Sequence, residues 1–177
     1  MPKTDDNLHW FVAFVRSCCE RKAGEMFEKL GYESFVPIRK EIHKWSDRRK
    51  VIDKILLPHL VFVRMTEDQR KKSCAQNPYI NGFMSANRPG SELPYKPAVV
   101  KDEDMDIFRT FLTDGSYPVE IYTGVLAPGD RVRIISGPLE GRECELVSVE
   151  GKKCLASRLG LLGAAVVEIS ADMVRKI

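Results

Sequence analysis

Pro128-Gly129-Asp130-Arg131-Val132-Arg133-Ile134-Ile135-Ser136-Gly137-Pro138-Leu139-Glu140-Gly141 is the stretch on which the fold turns. Val132, Ile134 and Ile135 read as one short strand, while Gly137 and Gly141 mark turns that need a positive φ. The same texture continues towards the C-terminus. Cys144 to Val149 and Ala164 to Ile169 read as further strands, set apart by Gly151, Gly160 and Gly163. Short strands between tight turns predict a small β-barrel over 129–177. The Leu- and Ala-rich stretch from Leu155 to Ala165 is the weakest part of that pattern, because both residues favour helix.

Upstream the texture changes. Residues 114–128 carry Gly115, Pro118, Gly124 and Pro128 with little periodicity, which predicts a linker. Residues 1–113 then form a separate domain. Within it, His9 to Arg16 contains Trp-Phe-Val-Ala-Phe-Val, a buried strand. Ser17 stands three residues before Glu20, a capping-box spacing that predicts a helix start. Cys19, Ala23, Met26, Phe27 and Leu30 follow at helical spacing, and Gly31 supplies the stop. Strands are expected at Tyr32 to Ile38, after Pro58, and at Tyr79 to Met84. A short polar helix is expected from Thr66 to Cys74, a Pro- and Gly-rich loop from Arg88 to Pro97, and an amphipathic helix from Asp102 to Thr113.

The stretch from Arg39 to Lys54 stands out for its charge. Seven basic residues against three acidic ones give it +4, whereas the rest of the chain sums to −1. Ser46-Asp47-Arg48-Arg49 has the turn chemistry of a hairpin tip, so a projecting basic hairpin is expected. Such a run is commonly just a solvated surface, but the local charge favours an acidic partner.

Composition excludes several classes. Hydrophobic residues make up 44% of the 177, enough for a packed core. No apolar run is long enough to span a membrane, and Met1 to Asn7 lacks the apolar stretch of a signal peptide, which predicts a cytoplasmic protein. The five cysteines (Cys18, Cys19, Cys74, Cys144 and Cys154) show no metal-ligand spacing, so they are expected to be reduced, with no metal or cofactor. Cys18 and Cys19, near a helix N-terminus, are the candidate nucleophiles of an enzyme reading. No His-Asp or His-Asn arrangement, P-loop, G-x-G-x-x-G or H-E-x-x-H accompanies them, so catalysis is the least favoured class.

Two separate motifs give the chain a family resemblance. The N-terminal part resembles the NGN domain of the NusG family through Trp10-Phe11-Val12, Glu20, Ala23, Phe35-Val36-Pro37, Lys44-Trp45 and Leu57-Pro58-His59-Leu60-Val61-Phe62-Val63. The C-terminal part resembles a KOW domain, with Gly129, Asp130, Val132, Gly137 and Gly141 as its signature. His59 stands where the family carries glycine, and Leu57 and Leu60 where it carries aromatics. Those departures make the chain more similar to the specialised RfaH-like and UpxY-type antiterminators of capsular polysaccharide operons.

The resemblance implies an α+β fold: an NGN-type α/β sandwich on an antiparallel sheet, followed by a small KOW-type barrel. It also implies a monomeric, non-catalytic transcription elongation or antitermination factor. Leu57, Leu60 and Phe62 would then meet the clamp helices of RNA polymerase. Arg16 and Lys22 would meet non-template DNA, and the basic hairpin with Arg48, Arg49 and Lys50 would face polymerase, DNA or nascent RNA. The KOW domain would take Rho, a small-subunit ribosomal protein or RNA. Read without the resemblance, Arg16 and Lys22 are solvated surface, and each of Leu57, Leu60 and Phe62 is as readily a core residue. Two other functions stay open: a ribosome-associated RNA-binding KOW protein, and a protein-interaction module without nucleic-acid contact. RfaH-like members switch their C-terminal domain to a helical hairpin; here the Val and Ile residues and turn glycines favour the barrel.

Overall fold

The computed structural model describes residues 7–177. The signal-peptide reading of the N-terminus therefore falls, apart from Asn7, outside the described residues. In chain order the elements are β1 (His9–Val15), α1 (Glu20–Lys29), β2 (Glu33–Phe35), β3 (Ile38–Lys44), β4 (Arg49–Ile55), β5 (Leu60–Met65), α2 (Glu67–Gln76), β6 (Ile80–Phe83), β7 (Val99–Val100), α3 (Asp102–Asp114), β8 (Glu120–Tyr122), β9 (Asp130–Ile134), β10 (Glu143–Val149), β11 (Lys152–Arg158), β12 (Ala164–Glu168) and β13 (Val174–Lys176). They form two compact units: one holds the chain up to Pro37 with Leu57–Asp102, the other Ile38–Leu56 with Glu103–Ile177.

The first unit is built on an antiparallel sheet of order β2-β5-β1-β6, with β7 also pairing with β1. Period-2 alternation along β1 sends Phe11, Ala13 and Val15 to one face. There they pack with Ala23 and Phe27 of α1 and with Val61, Val63 and Met65 of β5. Trp10 and Val12 belong to the opposite face with Leu60 and Phe62, and these are also buried. A strand apolar on both faces reads as a continuous run, which is why Trp10 to Val15 shows no polar alternation.

Helix α1 starts differently from the capping-box expectation. Its N-cap is Cys19, without a side-chain cap, after Cys18 at φ 58. Ser17 is not the cap because the helix begins two residues later than that spacing requires, with Glu20 as its first residue. The buried Glu20 carboxylate accepts the His59 N–H at 2.9 Å. The helix ends as expected, with Gly31 at φ 86. A capping box does form at α2, where Thr66 Oγ1 accepts the Gln69 N–H at 3.3 Å and Gln69 Oε1 accepts the Thr66 N–H at 2.9 Å.

Helix α2 is polar almost throughout, and Arg70 attaches it to the sheet. The guanidinium lies 5.8 Å from the Phe11 ring, 5.5 Å from Phe83 and 5.3 Å from Tyr95. It donates two bonds to the Glu67 carboxylate, at 2.8 and 2.6 Å, and a third to Tyr95 Oη at 3.3 Å. The Arg70 hydrogen bonds hold the Glu67 carboxyl below its ordinary pKa, and burial pushes Tyr95 up. Buried Asn77 stitches α2 to α1, donating to the Ala23 carbonyl at 3.1 Å and accepting the Tyr79 N–H at 3.1 Å.

The second unit holds a six-stranded antiparallel sheet of order β13-β9-β10-β11-β12-β8 and the separate hairpin β3–β4. The α+β class, with antiparallel sheets and a KOW-type β-rich C-terminal domain, is as expected. Two strands were not foreseen. Strand β8 lies inside 114–128, the stretch read as a linker, and pairs with β12 through Ala164↔Tyr122 and Val166↔Glu120. Strand β13 closes the other edge on β9. The Leu- and Ala-rich stretch supplies most of β11 and the start of β12, joined by a single 3-10 turn at Gly160–Leu162. Helix α3 packs by its apolar side: Ile107 and Phe111 share a small lined space with Ile134, Leu139 and Cys144. Ser157 Oγ donates to the Asp104 carbonyl at 2.6 Å, and the Arg158 N–H donates to Asp104 Oδ1 at 3.1 Å.

Candidate functional site

Three groups of residues carry the functional expectations. The first surrounds the turn into β5. His59 sits at φ 65, a left-handed conformation that glycine adopts without strain and most side chains resist. It is held there from two directions: its N–H donates to Glu20, and its carbonyl accepts the Val15 N–H at 2.8 Å. The departure from the resembled pattern, His for Gly, thus falls on the one position of this turn with positive φ. Leu57 is half-buried, Leu60 is 7% exposed and Phe62 is fully buried. Leu60 pairs with Phe14, and Phe62 stacks at a tilt on Phe35 with ring centres 6.3 Å apart. Phe14 is the open member of this face, at 41% exposure.

The second group is basic. Arg16 follows β1, fixed by its own N–H to the Tyr79 carbonyl at 2.9 Å, and Lys22 lies in the first turn of α1. Both side chains are exposed on the surface of the first unit. Arg48, Arg49 and Lys50 belong to the hairpin of the second unit and are likewise exposed. The hairpin runs in register from Ile38↔Ile55 to Lys44↔Arg49, and the Trp45 N–H closes its tip on the Arg48 carbonyl at 2.8 Å.

Charge along the hairpin is unevenly distributed. Glu41 draws in Arg39, Lys54 at 3.4 Å and His43 at 3.7 Å, and the Arg39 hydrogen bond holds its carboxyl below the ordinary range. Arg39 also donates to the Val119 carbonyl at 2.8 Å. Towards the tip, Lys44, Arg48, Arg49 and Lys50 form no ion pair among the described residues. Sequence reasoning passed over Ile42 and Val51 among these cations, and took Trp45 only as part of the family resemblance. Ile42, Trp45 and Val51 are 68%, 63% and 58% exposed. Ile42 and Val51 face each other across the two strands. The period-2 placement of Ile42 between Lys40 and Lys44 was a signal that could have found them.

The third group is the KOW signature, where every residue has an architectural task. Gly129 donates its N–H to Glu145 Oε1 at 2.7 Å, and a Cβ there would lie 2.0 Å from the Leu146 carbonyl oxygen. Asp130 pairs with Lys176 at 2.8 Å. Val132 is buried, and Gly137 and Gly141 have φ of 90 and 83 in the turn between β9 and β10. Glu145 also receives two Arg158 bonds at 2.8 Å each, while Arg158 reaches the carbonyls of Leu126 and Ala127 at 3.4 and 3.1 Å. The Arg158 contact keeps Glu145 below its ordinary pKa. This clamp fixes residues 126–129 against β10 and β11, a role invisible in a sequence where Glu145 and Arg158 are thirteen positions apart.

Among the described residues no group of three or more His, Cys, Asp or Glu side chains could hold a metal ion. No helix among them is long and apolar enough to cross a membrane.

Comparison with known families assigns both halves of the chain. Residues 8–109 match the family described as transcription termination factor nusG, and residues 128–170 match the KOW motif. Comparison with curated proteins returns no match. Among solved structures, one described as domain interaction in Thermotoga maritima NusG is 23% identical, with 97% of this chain and 98% of that chain covered and a TM-score of 0.46. The MjSpt4:Spt5 complex in its conformation A is 15% identical, with 95% and 97% covered and a TM-score of 0.30.

Proposed function

This chain belongs to the NusG family, and from that premise we propose that it is an elongation and antitermination factor that binds RNA polymerase and serves particular operons, of the capsular polysaccharide type. The family consists of non-catalytic transcription factors, so the work is done by binding. The observation that carries the reading is the pair of matches, 8–109 followed by 128–170, in one chain. A ribosome-associated KOW protein needs only the second.

In this reading the polymerase clamp helices are met by the apolar face that holds Leu57, Leu60 and Phe62, with Phe14 at its open end. A few apolar anchors in pockets of a helical partner, rimmed by polar groups, account for such binding. Leu60 and Phe62 are buried here, so they engage a partner only once that face becomes accessible. Arg16 and Lys22 contact the phosphates of the non-template strand, and Arg48, Arg49 and Lys50 contribute from the hairpin. The KOW domain serves a second partner, Rho or a ribosomal protein. The resemblance to RfaH-like and UpxY-type factors supports operon specificity.

The test is transcription in vitro through a long leader and terminator, using polymerase from the same cell. A capsule-type leader runs beside an unrelated one. Read-through that increases only on the capsule-type leader supports the specialised reading. An increase on both makes the protein a general factor. No increase on either, together with no binding to the clamp-helix fragment, removes the proposal.

A further inference from the structure

The hairpin tip combines features that a merely solvated turn does not need. The tip is closed by a backbone bond from Trp45 to Arg48, so the indole is not required to hold the turn. Trp45 nevertheless projects at 63% exposure. Leaving an indole in water forgoes the favourable burial of one of the largest apolar side chains. Around it stand Lys44, Arg48, Arg49 and Lys50, none of them ion-paired among the described residues, whereas Arg39 and Lys54, nearer the base of the hairpin, are drawn to Glu41.

An open aromatic face among unpaired cations matches the chemistry of an unpaired nucleic-acid strand. The bases offer a π-face to the ring, and the phosphates on either side offer charge to the cations. Paired DNA fits less well, since its base faces are already stacked. A protein partner would need an acidic surface with an apolar centre, and the charge alone does not choose against it; the test below does.

We propose that the tip of the β3–β4 hairpin is a stacking platform for an unpaired DNA strand, in which one base lies on the Trp45 ring and Lys44, Arg48, Arg49 and Lys50 hold the flanking phosphates. This rests on the nucleic-acid contact put forward above and adds how the strand is recognised. Recognition is tolerant of sequence, because every base has a π-face.

The experiment is a titration of the full chain into a short labelled DNA strand, the same sequence as duplex, and the same sequence as RNA, at several salt concentrations. The single DNA strand is expected to bind tightest and to quench tryptophan emission. That quenching reports Trp45, because Trp10 is only 2% exposed. Trp45→Ala is expected to weaken binding about tenfold while leaving the salt slope unchanged; Trp45→Phe is expected to retain most of the affinity. A triple Arg48→Ala, Arg49→Ala, Lys50→Ala variant is expected to reduce the salt slope by roughly 2. All the substituted side chains are exposed, so the fold tolerates them.

Unchanged affinity in Trp45→Ala, with the triple variant weakened, overturns stacking and leaves the nucleic-acid contact standing. Equal or tighter binding of duplex or RNA overturns the unpaired DNA strand as occupant. No binding of any strand by a chain that still binds polymerase overturns both the platform and the nucleic-acid contact.

Discussion

At the scale of single residues, backbone geometry decides more than side-chain chemistry. Gly129 is excluded from carrying a side chain by the Leu146 carbonyl oxygen, 2.0 Å from where a Cβ would stand. Gly129→Ala is expected to cost about 1–3 kcal/mol, read as a lower denaturation midpoint in urea. His59 presents the converse case, a side chain at φ 65 where the related pattern has glycine. His59→Gly is expected to be neutral or slightly stabilising, and His59→Val to cost about 1–2 kcal/mol, because β-branching resists the left-handed conformation. A loss of stability in His59→Gly would show instead that the imidazole contributes contacts beyond its backbone bonds. The sequence showed that something unusual occupied this position but not how it was accommodated. The answer lies with Glu20, thirty-nine positions away, whose carboxylate holds the His59 N–H instead of completing a capping box with Ser17. A capping pattern is a local signal, and here the helix starts at Glu20, two residues past the place that pattern assigns.

At the scale of elements, the strongly periodic segments were legible and those held by distant partners were not. Helices α1 and α3 announce themselves by apolar spacing, and the hairpin by its turn residues and charge. Strand β8 has three residues and little pattern of its own; it exists because β12 offers an edge to pair with. The Leu- and Ala-rich stretch became β11 and β12 for the same reason, since pairing with β10 on one side outweighs a modest helix propensity. Helix α2 shows how a polar element is retained: Arg70 supplies an apolar stem and a cation to three rings. Arg70→Ala is expected to destabilise the protein by about 2 kcal/mol and to unlatch α2, measured as faster amide exchange over Glu67–Gln76. Normal protection of α2 in that variant would mean that Asn77 and the capping box suffice. The hairpin's tip was half legible: its cations stand out in composition, whereas the exposure of Trp45, Ile42 and Val51 is set by what fails to pack on them.

At the scale of the whole molecule, acid and thiol chemistry probe both units at once. Glu67 in the first unit and Glu145 in the second are held below the ordinary carboxylate value of 4.5, chiefly by Arg70 and Arg158 respectively. Carboxyls whose folded pKa is depressed stabilise the protein above the unfolded value and lose that contribution as pH falls through the folded one. The unfolding temperature is therefore expected to be steady near neutrality and to drop once pH passes below 4.5. In Glu67→Gln and Glu145→Gln variants the acid dependence should flatten. The thiols divide by exposure: Cys18 and Cys74 are open, Cys144 and Cys154 are buried, and burial pushes Cys144 up to about 11. Alkylation of the native protein at neutral pH should label Cys18 and Cys74 well before Cys144 and Cys154, as read by peptide mass. Early labelling of Cys144 would mean that the second sheet opens readily. The α+β class, an NGN-like part followed by a KOW-type part, was legible because both motifs are local. The assembly of the second sheet was not, since its outer strands come from residues 120–122 and 174–176, on either side of the motif that identifies it. That arrangement makes β13 a guard. Its three residues occupy the hydrogen-bonding edge of β9, and Arg175 and Lys176 put charge along the outermost rim. Without them β9 would present a bare row of amides and carbonyls to any neighbouring chain, so a version lacking residues 174–177 should associate edge to edge as its concentration rises, while the intact protein stays dispersed.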